Sequence, residues 1–88
     1  MIWSITWSPT AEKQLQKIAK SNKDAAQQIV TKIEEITNNP FGLTDKLHGS
    51  DLRKLRVGSY RVIMNFEEQQ ITIFIVDVGH RNKIYKKY

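Results

Sequence analysis

The segment 54–61, Lys-Leu-Arg-Val-Gly-Ser-Tyr-Arg, constrains the fold most strongly because it predicts a tight β-hairpin. Gly58 and Ser59 would form a two-residue turn of type II′. The first position of that turn requires a positive φ, which glycine adopts at no steric cost. Such a turn also sets the strand register, pairing Val57 with Tyr60, Arg56 with Arg61, Leu55 with Val62 and Lys54 with Ile63.

This register divides the side chains between two faces of the sheet, because successive side chains of a strand point to opposite sides. The apolar set is predicted to face the core: Leu55, Val57, Tyr60 and Val62. Lys54, Arg56 and Arg61 share the other face, where two directly opposed arginines repel by on the order of 0.2–1 kcal/mol. We interpret this basic face as a surface that holds a phosphate backbone, and a fully solvated charged surface is the alternative.

The remaining sequence predicts one strand and two helices before the hairpin, and one strand after it. Residues 2–7 alternate between apolar and polar side chains, which is typical of a half-buried strand. Ser8 is a predicted N-cap with Pro9 at the first helical position, and a second helix should run from 23 to 37. Residues 38–50 read as a loop, 71–78 as an apolar strand and 80–85 as a polar tail.

This order of elements predicts a single α+β domain spanning residues 1–88. An N-terminal strand and a helical hairpin would be followed by an antiparallel three-stranded meander. The helices should pack on one face of a four-stranded sheet and leave the basic face partly open. By this arrangement, the last strand can bring Arg81 towards Lys54 and Arg61.

Composition limits the compartment and the partners. The chain has a net charge of +5 and no cysteine, which excludes disulfides and thiolate sites. It contains no run of about 20 apolar residues, so we expect no membrane association. No signal peptide is predicted, and we expect a cytoplasmic protein. Nine of the fourteen Lys and Arg residues lie within 46–61 and 80–88, which favours a polyanionic partner.

The candidate site residues are cations and one phenol: Lys54, Arg56, Arg61, Arg81, His80 and Tyr85. The sequence offers them no carboxylate pair, phosphate-binding glycine loop or metal-ligand spacing, which argues against metal-dependent hydrolysis and predicts no metal or cofactor. Such a site can still cleave RNA, because the substrate carries its own nucleophile, the 2′-OH. Arginine binds phosphate with its planar fork. Nearby positive charges lower the pKa of a lysine or a tyrosine, so either could act as the base.

The chain resembles the RelE-type toxins of the RelE/ParE superfamily of toxin–antitoxin systems. The resemblance covers almost the whole sequence and is carried by four segments: Asn39-Pro40, Lys-Leu-His-Gly at 46–49, Leu-Arg-Val-Gly-Ser-Tyr-Arg-Val at 55–62, and Val-Gly-His-Arg at 78–81 followed by Tyr85. One departure concerns Leu52, because the best-known members carry a further lysine at that position.

The resemblance implies an endoribonuclease that cuts mRNA in the ribosomal A site and leaves a 2′,3′-cyclic phosphate. The positions that match the family's catalytic residues are Lys54, Arg61, Arg81 and Tyr85. Lys54 and Arg61 would stabilise the scissile phosphate, Arg81 the phosphorane and the leaving group, and Tyr85 would act as base or stack on a nucleotide. Further RNA contacts are predicted at Lys46, Arg53, Arg56, His80, Lys83, Lys86 and Lys87. The expected partners are a cognate antitoxin and the ribosome, and the free toxin should be a monomer.

Two alternatives remain open at this stage. A ParE-type toxin of the same fold would inhibit DNA gyrase by binding and would cut no RNA. A non-catalytic RNA- or ribosome-binding module would need only the basic face. Because one fold can serve several functions, the choice among the three depends on the site residues.

Overall fold

The computed structural model describes residues 2–88. Its strands are β1 (Ser4–Trp7), β2 (Asp45–Lys46), β3 (Arg53–Val57), β4 (Tyr60–Glu67) and β5 (Thr72–His80). Its helices are α1 (Pro9–Ser21), α2 (Lys23–Glu35), α3 (Pro40–Leu43) and α4 (Arg81–Lys87), with 3₁₀ turns at Ile36–Asn38 and Glu68–Gln70. No helix within residues 2–88 is long and apolar enough to cross a membrane.

The strands form one mixed sheet in the order β1-β5-β4-β3-β2. Strand β1 pairs in parallel with β5, and all other pairs are antiparallel. The α+β fold and the three-stranded meander are therefore confirmed. The sheet has a fifth strand where the sequence predicts a loop over 38–50. This strand, β2, has only two residues and pairs with β3 at the sheet edge.

The hairpin between β3 and β4 has the predicted register in all four pairs. Gly58 has a φ of 58°, and Ser59 is not among the residues with positive φ, as a type II′ turn requires. The alternation of faces follows from this register. Leu55, Val57 and Val62 are buried in the core, and Arg56 is exposed on the opposite side.

The helical hairpin covers the apolar face of the sheet. The Ser8 hydroxyl accepts a hydrogen bond from the backbone N–H of Ala11 at 3.0 Å, which confirms the predicted N-cap. The Asn22 side chain caps α2 in the same way, through the N–H of Ala25. The buried core lies between these helices and the sheet, and it consists of Ala11, Ile29, Ile33, Ile36, Leu55, Val57, Val62, Met64, Ile73, Ile75 and Val78.

The prediction of a polar tail at residues 80–85 is wrong, because residues Arg81–Lys87 form helix α4. The His80 side chain caps this helix by accepting a hydrogen bond from the N–H of Asn82 at 3.4 Å. Ile84 is only 2% exposed and lies beside Gly79, where an added Cβ would come within 3.4 Å of the Ile84 side chain. Helix α4 therefore packs on the sheet face that the helical hairpin leaves uncovered, and it brings Tyr85 to β3 and β4.

Candidate active site

Arg61 and Tyr85 form the centre of the candidate site. Arg61 lies on β4 and Tyr85 on α4, and Arg61 Nε donates a hydrogen bond to the Tyr85 hydroxyl at 3.0 Å. The guanidinium also lies over the phenol ring, with its Cζ 5.7 Å from the ring centroid. Two residues that are 24 positions apart in the sequence are thus brought into direct contact by the packing of α4.

Arg61 is 5% exposed, which is unusual for a charged side chain and requires internal partners. Its Nη1 donates to the carbonyl oxygens of Gly58 at 2.9 Å and Tyr60 at 2.8 Å, both on its own hairpin. These bonds compensate for the loss of water, and they fix the guanidinium beneath Tyr85. Arg56, its cross-strand neighbour, is exposed. Water around the Arg56 guanidinium therefore weakens the repulsion between the two arginines.

Lys54 and Arg81 add further positive charge near the phenol. Lys54 Nζ lies 5.8 Å from the centroid of the Tyr85 ring. The hydrogen bond from Arg61 is the main cause that lowers the pKa of Tyr85 below its ordinary value of 10.0. Partial desolvation opposes this effect, and the charges of Arg61, Lys54 and Arg81 lower the pKa further.

Tyr85 is itself 52% exposed, so its hydroxyl can reach a substrate although its Arg61 partner is buried. Arg81 is also exposed, and Lys54 is half-buried. The structure therefore brings together the four residues predicted to be catalytic, but they differ in their accessibility to a ligand. Lys54 and Arg81 are available to a ligand, whereas Arg61 acts mainly on Tyr85.

Two predicted RNA contacts lie on the other side of the sheet. Arg53 donates from Nε and Nη2 to Thr44, and from Nη2 to the Phe41 carbonyl, so it holds α3 against the sheet. Its guanidinium also lies 5.4 Å from the Phe41 ring centroid. Lys46 pairs with Arg53 across the strands and has its Nζ 3.7 Å from the Asp51 carboxylate. Neither residue joins the cluster around Tyr85.

The remaining predicted RNA contacts are distributed over several surfaces. His80 pairs with Tyr60 in the register of β4 and β5, and both residues line a cavity of about 230 Å³ beside α1 together with Lys83. Lys87 binds Asp77 through its Nζ at 3.1 Å. Lys86 and Arg56 are exposed and form no ion pair within residues 2–88. Charge in the sequence thus does not specify the face on which a basic residue lies, and the RNA contacts of these residues stay predictions.

The structure contains features of the site that the sequence reasoning missed. The turn carbonyls that bind Arg61 and the anchoring of α4 by Ile84 could not be seen in the local sequence pattern. The contact between Asp77 and Lys87 of α4 could have been suspected from the sequence, because Asp77 is the one acidic residue in the largely apolar strand β5. In the part of the chain from Ile2 to Tyr88, no group of three or more His, Cys, Asp or Glu side chains is placed to hold a metal ion.

Comparison with known proteins assigns the family. The family model for the ParE toxin of the type II toxin–antitoxin system parDE matches residues 5–85. The chain belongs to the RelE/ParE superfamily of toxins. This toxin is 32% identical over 88 residues to a protein of Methanocaldococcus jannaschii that carries the provisional name toxin RelE4, and the match spans 98% of this chain and 94% of the relative. The predicted resemblance is therefore confirmed.

Solved structures share the fold of this toxin. The RelBE2 toxin–antitoxin complex of Mycobacterium tuberculosis matches with a TM-score of 0.82 at 19% identity, covering 92% of this chain and 100% of that one. A free double mutant of Escherichia coli RelE matches with a TM-score of 0.79 at 22% identity, covering 98% and 93%. The RelB–RelE complex of Methanococcus jannaschii matches with a TM-score of 0.72 at 25% identity, covering 94% and 98%.

Proposed function

We propose that this toxin is a ribosome-dependent endoribonuclease that cuts mRNA in the A site without a metal ion. The observation that carries the proposal is the Tyr85 hydroxyl, which accepts a hydrogen bond from buried Arg61 and lies beside Lys54 on a partly exposed helix. A phenol whose pKa is lowered by surrounding cations is suited to remove a proton from a substrate hydroxyl, because its ionised form is present at lower pH than that of a free tyrosine.

The proposed reaction uses the substrate's own 2′-OH as the nucleophile. Tyr85, as phenolate, takes the 2′-OH proton, and O2′ attacks the adjacent phosphorus. The bond between phosphorus and the 5′-oxygen then breaks, which leaves a 2′,3′-cyclic phosphate on one fragment and a 5′-hydroxyl on the other. Lys54 and Arg81 bind the non-bridging oxygens, where negative charge increases in the transition state. Arg81 and water are the available proton sources for the leaving oxygen.

Arg61 has a different role in this scheme from the one expected of a simple phosphate ligand. Its Nε and Nη1 are occupied by Tyr85 and by two hairpin carbonyls. It therefore stabilises the phenolate form of Tyr85 and fixes its position. Its remaining Nη2 makes no hydrogen bond within residues 2–88, and no fully buried side-chain nitrogen or oxygen in that range lacks a partner, so Nη2 is not completely enclosed. Of the three guanidinium nitrogens, Nη2 is therefore the one we assign to a phosphate oxygen.

A cognate antitoxin is the proposed protein partner. Several proteins with the same fold were solved as complexes of a toxin with its antitoxin, including those of Mycobacterium tuberculosis and Pyrococcus horikoshii. The exposed cations near Tyr85 would attract an acidic segment, and a segment covering them would block access of the mRNA. The ribosome is the proposed nucleic-acid partner because it presents mRNA in a defined conformation.

Primer extension on translating mRNA tests the proposal. Wild-type toxin should produce a new cut only when ribosomes are present. Tyr85→Phe and Arg81→Ala should abolish the cut while binding to ribosomes persists. Tyr60→Phe is the matched control, because Tyr60 lies on the opposite sheet face and should be dispensable for cutting. If Tyr85→Phe cuts as well as the wild type, Tyr85 is not the base.

A gyrase inhibitor of the ParE type is the second candidate, because the matching family model is that of a ParE toxin. Such a toxin would act by binding and would not depend on the Tyr85 hydroxyl. A supercoiling assay with purified DNA gyrase separates the two functions. Inhibition of supercoiling by wild-type and Tyr85→Phe toxin alike, with no cut in mRNA, would favour the second candidate.

A further inference from the structure

Asp77 is a buried carboxylate that the proposed reaction does not use. It is 3% exposed and lies in β5 among apolar residues. Its register partner on β4 is Ile63, so it lies on the sheet face that carries Arg61 and is covered by α4. A carboxylate that is buried without partners strongly destabilises the fold. We therefore expect both oxygens of Asp77 to be hydrogen-bonded.

Each oxygen of Asp77 has a defined partner. Oδ1 accepts a hydrogen bond from the backbone N–H of Val78 at 2.9 Å. Oδ2 accepts from Lys87 Nζ at 3.1 Å and from the Tyr88 hydroxyl at 3.3 Å. Two of the three bonds thus come from the last residue of α4 and the residue after it. Asp77 connects the end of this helix to the middle of the sheet.

Helix α4 needs such a connection. It has seven residues, whereas isolated helices shorter than about 12–15 residues are marginal in water. Ile84 is its only buried residue, so the apolar attachment of α4 is a single side chain. Tyr85 follows Ile84 directly and precedes Lys87 by two residues, so the phenol is held between the apolar contact and the Asp77 contact.

We propose that Asp77 is a positioning residue, which fixes the end of α4 to β5 and thereby holds the Tyr85 hydroxyl against Arg61 and beside Lys54. The geometry of the Asp77 contacts carries this inference, and its consequence for catalysis rests on the proposed function. A misplacement of a reacting group by about 1 Å can lower a rate by roughly 100-fold. Loss of the Asp77 contact should therefore lower the cleavage rate by an amount that can be measured.

The protonation behaviour of the two C-terminal tyrosines agrees with this arrangement. Burial and then the nearby Asp77 charge raise the pKa of Tyr88, while Lys87 opposes the shift. The pKa of Tyr85 is lowered by groups from three elements, namely Arg61 on β4, Lys54 on β3 and Arg81 on α4. A change in the position of α4 would weaken the contacts of Tyr85 with Arg61 on β4 and with Lys54 on β3, whereas Arg81 would move together with Tyr85. The pKa of Tyr85 would therefore report such a change.

The test compares Asp77→Asn and Lys87→Met with Lys86→Met as the matched control. Lys86 carries the same charge in the same helical turn but forms no ion pair within residues 2–88. The first readout is the pKa of Tyr85 from an NMR titration of the tyrosine ¹³Cζ signals, assigned with Tyr85→Phe. We expect the pKa of Tyr85 to rise towards 10.0 in Asp77→Asn and Lys87→Met and to stay at the wild-type value in Lys86→Met.

The second readout is cleavage on ribosomes, with the rate at saturation separated from the ribosome affinity. We expect Lys87→Met to lower the saturating rate by about 10- to 100-fold and to leave the affinity within about twofold of the Lys86→Met value. An unchanged pKa of Tyr85 in Lys87→Met overturns the positioning role, and this exposed substitution decides the matter even if Asp77→Asn fails to fold. A raised pKa with undiminished cleavage would support the positioning role and contradict Tyr85 as the base.

Discussion

Substitution of Gly58 tests the hairpin that places Arg61 beneath Tyr85. Gly58 has a φ of 58°, and a Cβ built there would meet no atom within 4 Å. The energetic effect of a side chain therefore comes from the backbone conformation alone. A positive φ at the first position of a type II′ turn costs a residue with a Cβ roughly 1–2 kcal/mol, less for asparagine and more for a β-branched residue. We expect destabilisation to increase in the order Gly58→Asn, Gly58→Ala, Gly58→Val.

Thermal unfolding followed by circular dichroism measures this order. For a domain of this size, each kcal/mol shifts the melting temperature by about 4–8 °C, so Gly58→Ala should melt about 5–15 °C below the wild type. Ser59→Ala is the control, because Ser59 is exposed and has no positive φ, and it should stay within about 0.5 kcal/mol of the wild type. If Gly58→Ala melts with the wild type, or Gly58→Asn is as unstable as Gly58→Val, the turn geometry and the reasoning on register are wrong.

Three further predictions concern the site. Arg61→Met removes the donors to Tyr85 and to two hairpin carbonyls, so it should raise the pKa of Tyr85 towards 10.0 by NMR titration and destabilise the fold by about 2–4 kcal/mol in urea. The pKa of Tyr85 in the folded protein is lowered, and its ionised form is the proposed base, so the cleavage rate should rise with pH and reach its plateau before pH 10. A rate that falls with increasing pH over this range would contradict the assignment of Tyr85 as the base. Affinity for a short single-stranded RNA should fall about tenfold or more between 50 and 200 mM salt if Lys54, Arg56 and Arg81 contact phosphates, and a flat response in a filter-binding assay would exclude such contacts.

The elements that were predictable from the sequence are those with local causes. The hairpin depends on one glycine with positive φ, and α1 begins at a serine cap followed by proline, so neighbouring residues suffice to predict both. Helix α4 and strand β2 have weaker local signals. The His80 cap alone does not predict α4, which is held by the packing of Ile84 beside Gly79 and by the contact between Lys87 and Asp77. Strand β2 has only two residues, and it pairs with the edge of β3.

The same distinction applies to the site. Lys54 and Arg61 could be placed on one face because they lie on adjacent strands of known register. The burial of Arg61 could not be foreseen, since it depends on the turn carbonyls and on Tyr85 from a helix that the sequence pattern does not indicate. The charge of Arg53 predicts an RNA contact. The structure places Arg53 on the opposite face, where it holds α3, so this contact stays a prediction separate from the cluster around Tyr85.

The most direct test of the account replaces the nucleotide at the scissile bond of a ribosome-bound mRNA with its 2′-deoxy analogue. If the 2′-OH is the nucleophile, this toxin should cut the all-ribose message at that position and leave a 2′,3′-cyclic phosphate, which mass spectrometry of the fragments identifies. The 2′-deoxy message should bind the same ribosomes and toxin but remain uncut. Cleavage of the 2′-deoxy message at the same position would show that the substrate does not supply the nucleophile and would contradict the account.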